Sequence, residues 1–240
     1  MKADKYYLRE HAFFCVTTRH CIFLDLKKDK YLCIGRAQFE FLRPWLHTAG
    51  DRTTGPLQLS CHDEQAHQLA AELIEAGLVS DVPQGTIPPK SKLQARARQC
   101  INDVELSGRP PGHLRFLPQF LHAAWTADWK LRRRPIYEIV GDFRARKQFG
   151  SPPSTPAIIE HLHRRITTFN ALRLIYPRHY LCLFDSLALA EFLAQFKLYP
   201  DWVFGVSADP FRAHCWLEAW ALVLNDTMEH ISTYTPILTA

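Results

Sequence analysis

The stretch Leu181–Phe196, LCLFDSLALAEFLAQF, limits this chain more than any other. At helical spacing Leu183, Leu187, Ala190 and Ala194 share one face, while Leu189, Leu193 and Phe196 share the adjacent one. A helix that is apolar on most sides has to be wrapped by other elements, so the carboxy-terminal half needs a core built around this rod. Cys182 stands at its first turn, where the positive end of the helix dipole lowers a thiol pKa. Downstream, Ala213–Ala219 alternates as a strand does. His214, Trp216 and Glu218 fall on one face, and Ala213, Cys215 and Leu217 on the other. A turn, Asp209-Pro210-Phe211-Arg212, leads into it, and a second strand, Leu222-Val223-Leu224, ends at Asn225-Asp226.

Cys182, His214 and Asp226 therefore come in the order nucleophile, base, orienter. A cysteine peptidase needs a thiol at a helix start, an imidazole to share its proton and a carboxylate to fix the imidazole tautomer. A strand-end Asp on the neighbouring strand can reach the far nitrogen of His214. Each residue also has a plain reading: a buried thiol, a core histidine and a solvent-facing turn residue. Asp185, one turn after Cys182, opposes thiolate formation unless it points away or a cation neutralises it. His179 and His230 compete as bases, and His179 could serve only if the chain bent back. No GxSxG, P-loop, GxGxxG, HExxH or EF-hand motif occurs, which removes most support for hydride, kinase and metallohydrolase chemistry.

The amino-terminal part is organised differently. His11–Thr17, Cys21–Leu26 and Lys30–Ile34 are three short apolar runs, the last two separated at hairpin length by Lys27-Lys28-Asp29. Ala37–Leu46 reads as a helix interrupted near Pro44. A further helix, with Ser60 as its N-cap, carries Leu69, Leu73 and Ile74 and stops at Gly77. Strands followed by helices make residues 1–82 a small module. Two breaks, Val82–Pro89 and Ser107–Gly112, bracket a linker over 83–112, and residues 113–240 form the second domain. The fold class expected is α+β. From Leu114 to Arg134, Phe116, Phe120, Leu121, Ala124, Trp125 and Trp129 recur at helical spacing and read as packing residues. Thr155 and Pro156 open another helix, Ala157–Leu174.

Across 240 residues, 47% are hydrophobic, enough for a real core. No run approaches the eighteen or so apolar residues of a membrane span, and the charged start MKADKYYLREHAFF lacks the apolar stretch of a secretory signal, so a cytoplasmic protein is expected. The seven cysteines form no CxxC pair and suggest neither a disulfide framework nor a metal site. Net charge is +5, with basic runs at Lys130–Arg134 and at Arg144, Arg146 and Lys147. These read as solvated helix faces, with an acidic peptide or partner also suited to them, and no nucleic acid is expected.

The residues Cys182-Leu183 with Ser186–Leu189, Pro210–Glu218 and Val223–Asp226 together resemble the signature of lasso-peptide maturation peptidases, the lasso peptide B proteins, which are transglutaminase-like cysteine proteases. The match spans Pro177–Pro236. Cys182, His214 and Asp226 correspond to the family's nucleophile, histidine and aspartate. Two positions depart from the pattern: Ala221 stands where a hairpin glycine is common, and Asp185 where an arginine is. The resemblance implies a transglutaminase/papain-like α+β peptidase domain behind a winged-helix-like module that binds a precursor's leader peptide as an added strand. Lys30–Ile34, with Tyr31, Leu32 and Cys33, would supply the edge, and the helix carrying Leu69 and Leu73 the groove wall. It implies cleavage at the leader–core junction, no cofactor in this chain, and an asparagine-synthetase-like lasso cyclase as the partner that uses ATP. The alternatives are an acyl transferase forming an amide by the same thioester chemistry, and a non-catalytic peptide-binding or regulatory winged-helix protein.

Overall fold

The computed structural model describes residues 5–47, 63–83, 97, 99–103, 112–147, 154–177 and 179–240. The proposed N-cap Ser60 and Cys61 lie outside them, as do most residues of the expected linker. The architecture is α+β, as the sequence implies. Two compact units divide the chain: residues 1–93 with 206–212 and 235–238, and residues 94–205 with 213–234 and 239–240.

In the first unit, β1 (Tyr6–Leu8) precedes a meander of β2 (Ala12–Val16), β3 (His20–Asp25) and β4 (Lys30–Gly35). Both hairpins are antiparallel, with Phe14 opposite Phe23 and Phe23 opposite Leu32. The β3–β4 turn is fixed by Asp25, whose Oδ1 accepts from the backbone amides of Lys27 and Lys28, both at 3.0 Å. Asp29 then takes a positive φ of 51°, a conformation Asp tolerates because its short polar side chain bonds locally. α1 (Arg36–Leu42) follows directly and passes into a 3₁₀ turn at Pro44, where the missing N–H cannot continue the ladder. β5 (Leu46–His47) pairs with β1 in parallel. α2 (Asp63–Glu75) ends before Gly77 at φ 81°, and β6 (Val79–Ser80) pairs antiparallel with β1. Lys28 Nζ donates to the Ala76 carbonyl at 2.7 Å, tying the turn to the open end of α2. Phe23, Phe39, Leu42, Leu69, Leu73 and Val79 are among the residues that fill this core.

The second unit begins with β7 (Gln99–Cys100), which lies in the segment read as linker. α3 (Leu117–Arg133) and α4 (Ile136–Lys147) follow, then α5 (Pro156–Arg173), capped by Thr155 Oγ1 accepting from the Ile158 amide at 3.3 Å. α6 (Cys182–Ala194) is the apolar rod. Eight of its residues are buried, and it packs against α3 and α5. The last elements of the chain are β8 (Asp201–Ser207), β9 (Arg212–Ala219), β10 (Leu222–Val223), α7 (Met228–Ser232) and β11 (Thr235–Thr239), of which residues 206–207, 212 and 235–238 are counted with the first unit. The sheet order is β11-β8-β9-β10-β7, with β9 central.

The aromatic periodicity of α3 carries less core than expected. Phe120, Ala124 and Ala127 are buried, but Leu121, Trp125 (63% exposed) and Trp129 lie on the neighbouring stripe, which faces solvent. A 3.6-residue helix packed on one side buries only one such stripe. Most of the basic runs are spent on carboxylates. Lys130 and Arg146 converge on Glu191 at 2.8 and 2.6 Å, Lys147 pairs with Asp201, and Arg134 pairs with Glu138 and Asp142.

The β9–β10 hairpin closes through two residues, Trp220 at φ 49° and Ala221 at φ 65°. Positive φ at both positions is the signature of a type I′ turn, which normally calls for Asn-Gly. A Cβ in this region costs about 1–2 kcal/mol per residue. Ala221→Gly is therefore expected to stabilise the protein by about 0.5–1 kcal/mol after the added freedom of the unfolded chain is subtracted. A thermal melt should show Tm raised by roughly 1–4 °C, and an unchanged or lowered Tm would mean the turn carries no such strain.

Candidate functional site

Helix α6 starts at Cys182, so its amide lies outside the i→i−4 ladder and the thiol sits at the positive end of the helix. The start is fixed from behind. Asp185 Oδ2 accepts from the Leu181 amide at 2.7 Å, and Oδ1 accepts from Arg173 Nε at 2.5 Å. Arg173, on α5 and only 3% exposed, also donates to the carbonyls of Tyr176 (3.3 Å) and His179 (3.1 Å), with its guanidinium over the Tyr180 ring. Asp185 is thus turned back toward the preceding loop and held against a cation, so it does not oppose a thiolate at Cys182. The sequence showed the need for such a cation but gave no means to choose Arg173, because the pairing spans two helices. The same clasp turns the His179 carbonyl toward Arg173.

Strand β9 delivers the imidazole. His214 Nε2 is hydrogen-bonded to Asp226 Oδ2, which leaves Nδ1 for Cys182. Asp226 follows β10 and is anchored on both sides. Its Oδ1 accepts from the Thr227 amide at 2.7 Å, and both oxygens lie within 3.0 Å of His230 Nδ1. The register that aligns the two residues is explicit: Ala219 faces Leu222 and Glu218 faces Val223. Beyond the ladder, Leu224 donates to the Leu217 carbonyl (2.9 Å) and Asn225 Oδ1 accepts from the Leu217 amide (2.8 Å). Trp216 lies nearly parallel to the His214 ring at 5.8 Å, and Tyr234 stands 5.1 Å from it. Trp216 packs tightly over Gly205, where a Cβ would stand 2.8 Å from the indole. Its Nε1 donates to Glu218 Oε1 at 2.6 Å.

Cys182 receives hydrogen bonds from the Cys215 thiol, from His214 and from the Cys215 amide. These outweigh its burial and bring its pKa down to about 4. Burial alone would lower the His214 pKa, but the bonds to Asp226 and Cys182 and their negative charges raise it to about 9. Burial likewise works against ionisation of Asp226, yet the bonds from His214, Thr227 and His230 keep its carboxyl below the ordinary range. Burial, and then the neighbouring thiolate, push the Cys215 thiol well up, so it stays protonated and acts as a donor. Near neutrality the arrangement is a thiolate–imidazolium pair held by a carboxylate. It can attack an acyl carbon and protonate a leaving group.

The three residues read from sequence thus meet within one unit. Cys215 was not foreseen as a member of the cluster, and His230, weighed only as a rival base, instead bonds to the Asp226 carboxylate. Position next to His214 hinted at the first, while the second depends on the short helix α7 folding back. His214, Asp226 and His230 offer ligand atoms within 4.8 Å of one another, a set that could hold a metal ion, though the same atoms already bond to each other.

The residues suggested for a peptide edge separate. Leu32 (39% exposed) and Cys33 are exposed on β4, which among the described residues pairs only with β3. Tyr31 is half-buried, with its ring 5.3 Å from Phe211. Leu69 lines a groove of about 330 Å³ between α1 and α2, together with Gln38, Phe41, Gln65, Gln68 and Glu72. Leu73 is a correction: it is 0% exposed and fills the core, because it lies on the inward face of α2.

Among the described residues no helix is long and apolar enough to cross a membrane. No curated protein and no solved structure matches the chain significantly. A family model does: residues 123–239 match the transglutaminase-like superfamily, so this part of the chain is a transglutaminase-like domain, of a superfamily whose enzymes are typically cysteine-dependent.

Proposed function

We propose that this protein is the leader peptidase of a lasso-peptide maturation system, with Cys182, His214 and Asp226 as its catalytic residues. The observation that carries the reading is the Cys182–His214–Asp226 chain of hydrogen bonds inside a transglutaminase-like domain. The Cys182 thiolate attacks the carbonyl carbon at the leader–core junction. His214, already protonated, gives its proton to the leaving amine as the thioester forms, and then takes one from the water that hydrolyses it. Asp226 holds the imidazole with Nδ1 toward sulfur. The Cys182 amide, at the first residue of the helix and outside its ladder, would donate to the oxyanion. No step calls on a cofactor in this chain. An ATP-dependent, asparagine-synthetase-like cyclase would join the freed core amine to a core carboxylate.

The amino-terminal unit supports the substrate class. Among the described residues β4 pairs only with β3 and Leu32 on it is exposed, and an extended leader could add along the other edge as a further strand. Tethering the leader raises the effective concentration of the scissile bond, so substrate choice can be strict while contacts at the bond stay few. The superfamily match also favours a second reading, acyl transfer, in which an amine rather than water opens the thioester.

Mass spectrometry of a precursor peptide incubated with the protein separates the two. Cleavage yields two fragments that together have gained one water, whereas transfer yields a new crosslink and no water. Cys182→Ala is expected to abolish either product; turnover that survives it would sink the reading. The pH profile of kcat/KM is expected to rise through about 4 and fall through about 9, because the active form needs the thiolate and the imidazolium together. Asp226→Asn should move the upper limb to lower pH and reduce kcat by about 10²–10⁴-fold, and a profile unmoved by this change would remove Asp226 from its role. Leu32→Asp should raise KM for the full precursor about tenfold or more while leaving kcat and the folded structure intact. An unchanged KM would place the leader elsewhere.

A further inference from the structure

A second thiol lies against the candidate nucleophile. Cys215 directly follows His214 on β9, and its Sγ and backbone amide both bond to the Cys182 sulfur. Ser186 joins the two residues from the helix side, with Oγ 3.3 Å from Cys215 Sγ and bonded to the Cys182 carbonyl. Cys182 is partly exposed, while Cys215 is 3% exposed. A solute can therefore reach the first sulfur but not the second.

We infer that Cys182 and Cys215 form a peroxide-reactive dithiol, in which a hydroperoxide oxidises Cys182 and Cys215 resolves the product to a reversible disulfide. In the first step the Cys182 thiolate attacks the hydroperoxide. An S–O bond forms and the O–O bond breaks. The oxygen that leaves takes the proton held on His214 and departs as alcohol, or as water when the oxidant is hydrogen peroxide. Cys182 is then a sulfenic acid. In the second step the Cys215 sulfur attacks the sulfenic sulfur, the S–S bond forms, and hydroxide leaves with the Cys215 proton as water. Two thiols and one hydroperoxide become one disulfide, one alcohol and one water.

Loss of the Cys182 negative charge in the first step removes one of the two effects that keep Cys215 protonated, so the second thiol becomes more reactive just when it is needed. Among the described residues the other buried thiols lack this setting: burial pushes Cys15 up to about 12 and raises Cys21 and Cys100 as well. Closing the disulfide requires both side chains to turn within the hydrogen-bonded pair, from contact to about 2.05 Å. The product cannot be acylated, and it diverts Cys182 from the irreversible sulfinic and sulfonic acids. The inference rests on the proposed function only through the reactive thiolate at Cys182.

Peptide mapping of the purified full chain tests it. Trypsin places Cys182 in His179–Lys197 and Cys215 in Ala213–Ala240, each with no other cysteine. After brief treatment with hydrogen peroxide and blocking of remaining thiols, these two peptides should appear joined, two hydrogens lighter than their sum, and separate on addition of dithiothreitol. Precursor cleavage should fall with the crosslink and return with its reduction. In Cys215→Ala the same treatment should carry Cys182 to the sulfinic or sulfonic acid, with less than about a tenth of the treated variant's starting activity recovered by dithiothreitol. The inference is overturned if wild-type Cys182 reaches the sulfinic acid without the crosslink, or if its partner is another cysteine. Should Cys215→Ala fail to fold, the wild-type map decides alone. A chain that cuts no precursor yet forms the crosslink would overturn the proposed function and leave this inference standing.

Discussion

The charge pair between the Cys182 sulfur and the His214 imidazole is the interaction that the rest of the second unit serves. Neither charge is comfortable in a partly buried place. The sulfur is negative because a helix start, two groups from Cys215 and the imidazole converge on it. The imidazole is positive because a carboxylate stands behind it and a thiolate in front. Each stabilises the other, so the two ionise as a unit, and a change at any supporting residue is felt at both.

The supports come from separate parts of the chain. Arg173 on α5 holds Asp185 and the loop before α6, which decides where the helix begins. Ser186, one turn into that helix, bonds toward β9. Trp216 and Tyr234 wall the imidazole, and Thr227 and His230 pin the carboxylate. A buried arginine that makes three kinds of contact is costly to desolvate, and it repays that cost only if all of its partners are in place. The loop before the nucleophile is therefore fixed as one body with the helix.

The sequence made legible whatever has a short-range signature. The helix start at Cys182, the alternation over Ala213–Ala219, the Thr155-Pro156 cap and the three amino-terminal strands all stand where local pattern puts them. The order Cys182, His214, Asp226 carried the site because each residue sits at the end of an element, where an active centre can gather. What stayed hidden depends on pairing across the fold. α4 has a weak pattern, β8 is a continuously buried strand that periodicity cannot tell from a helix, and β7 is two residues long. Arg173, Cys215 and His230 take their meaning from neighbours far away in the chain. The outward stripe of Trp125 and Trp129 shows the converse error, since spacing reveals a helix face but not what covers it.

The hairpin through Trp220 and Ala221 acts as a caliper for the site. The imidazole is carried on one of its arms and the carboxylate lies just past the other, so their separation is set by how the arms align. Side chains alternate from face to face along a strand, and a slip of one position would send the ring to the wrong side of the sheet. A connection of only two residues has no slack in which to absorb such a slip. The awkward backbone at that bend and the alignment of base and carboxylate are thus parts of one mechanical arrangement, although the bend itself never meets the reacting atoms.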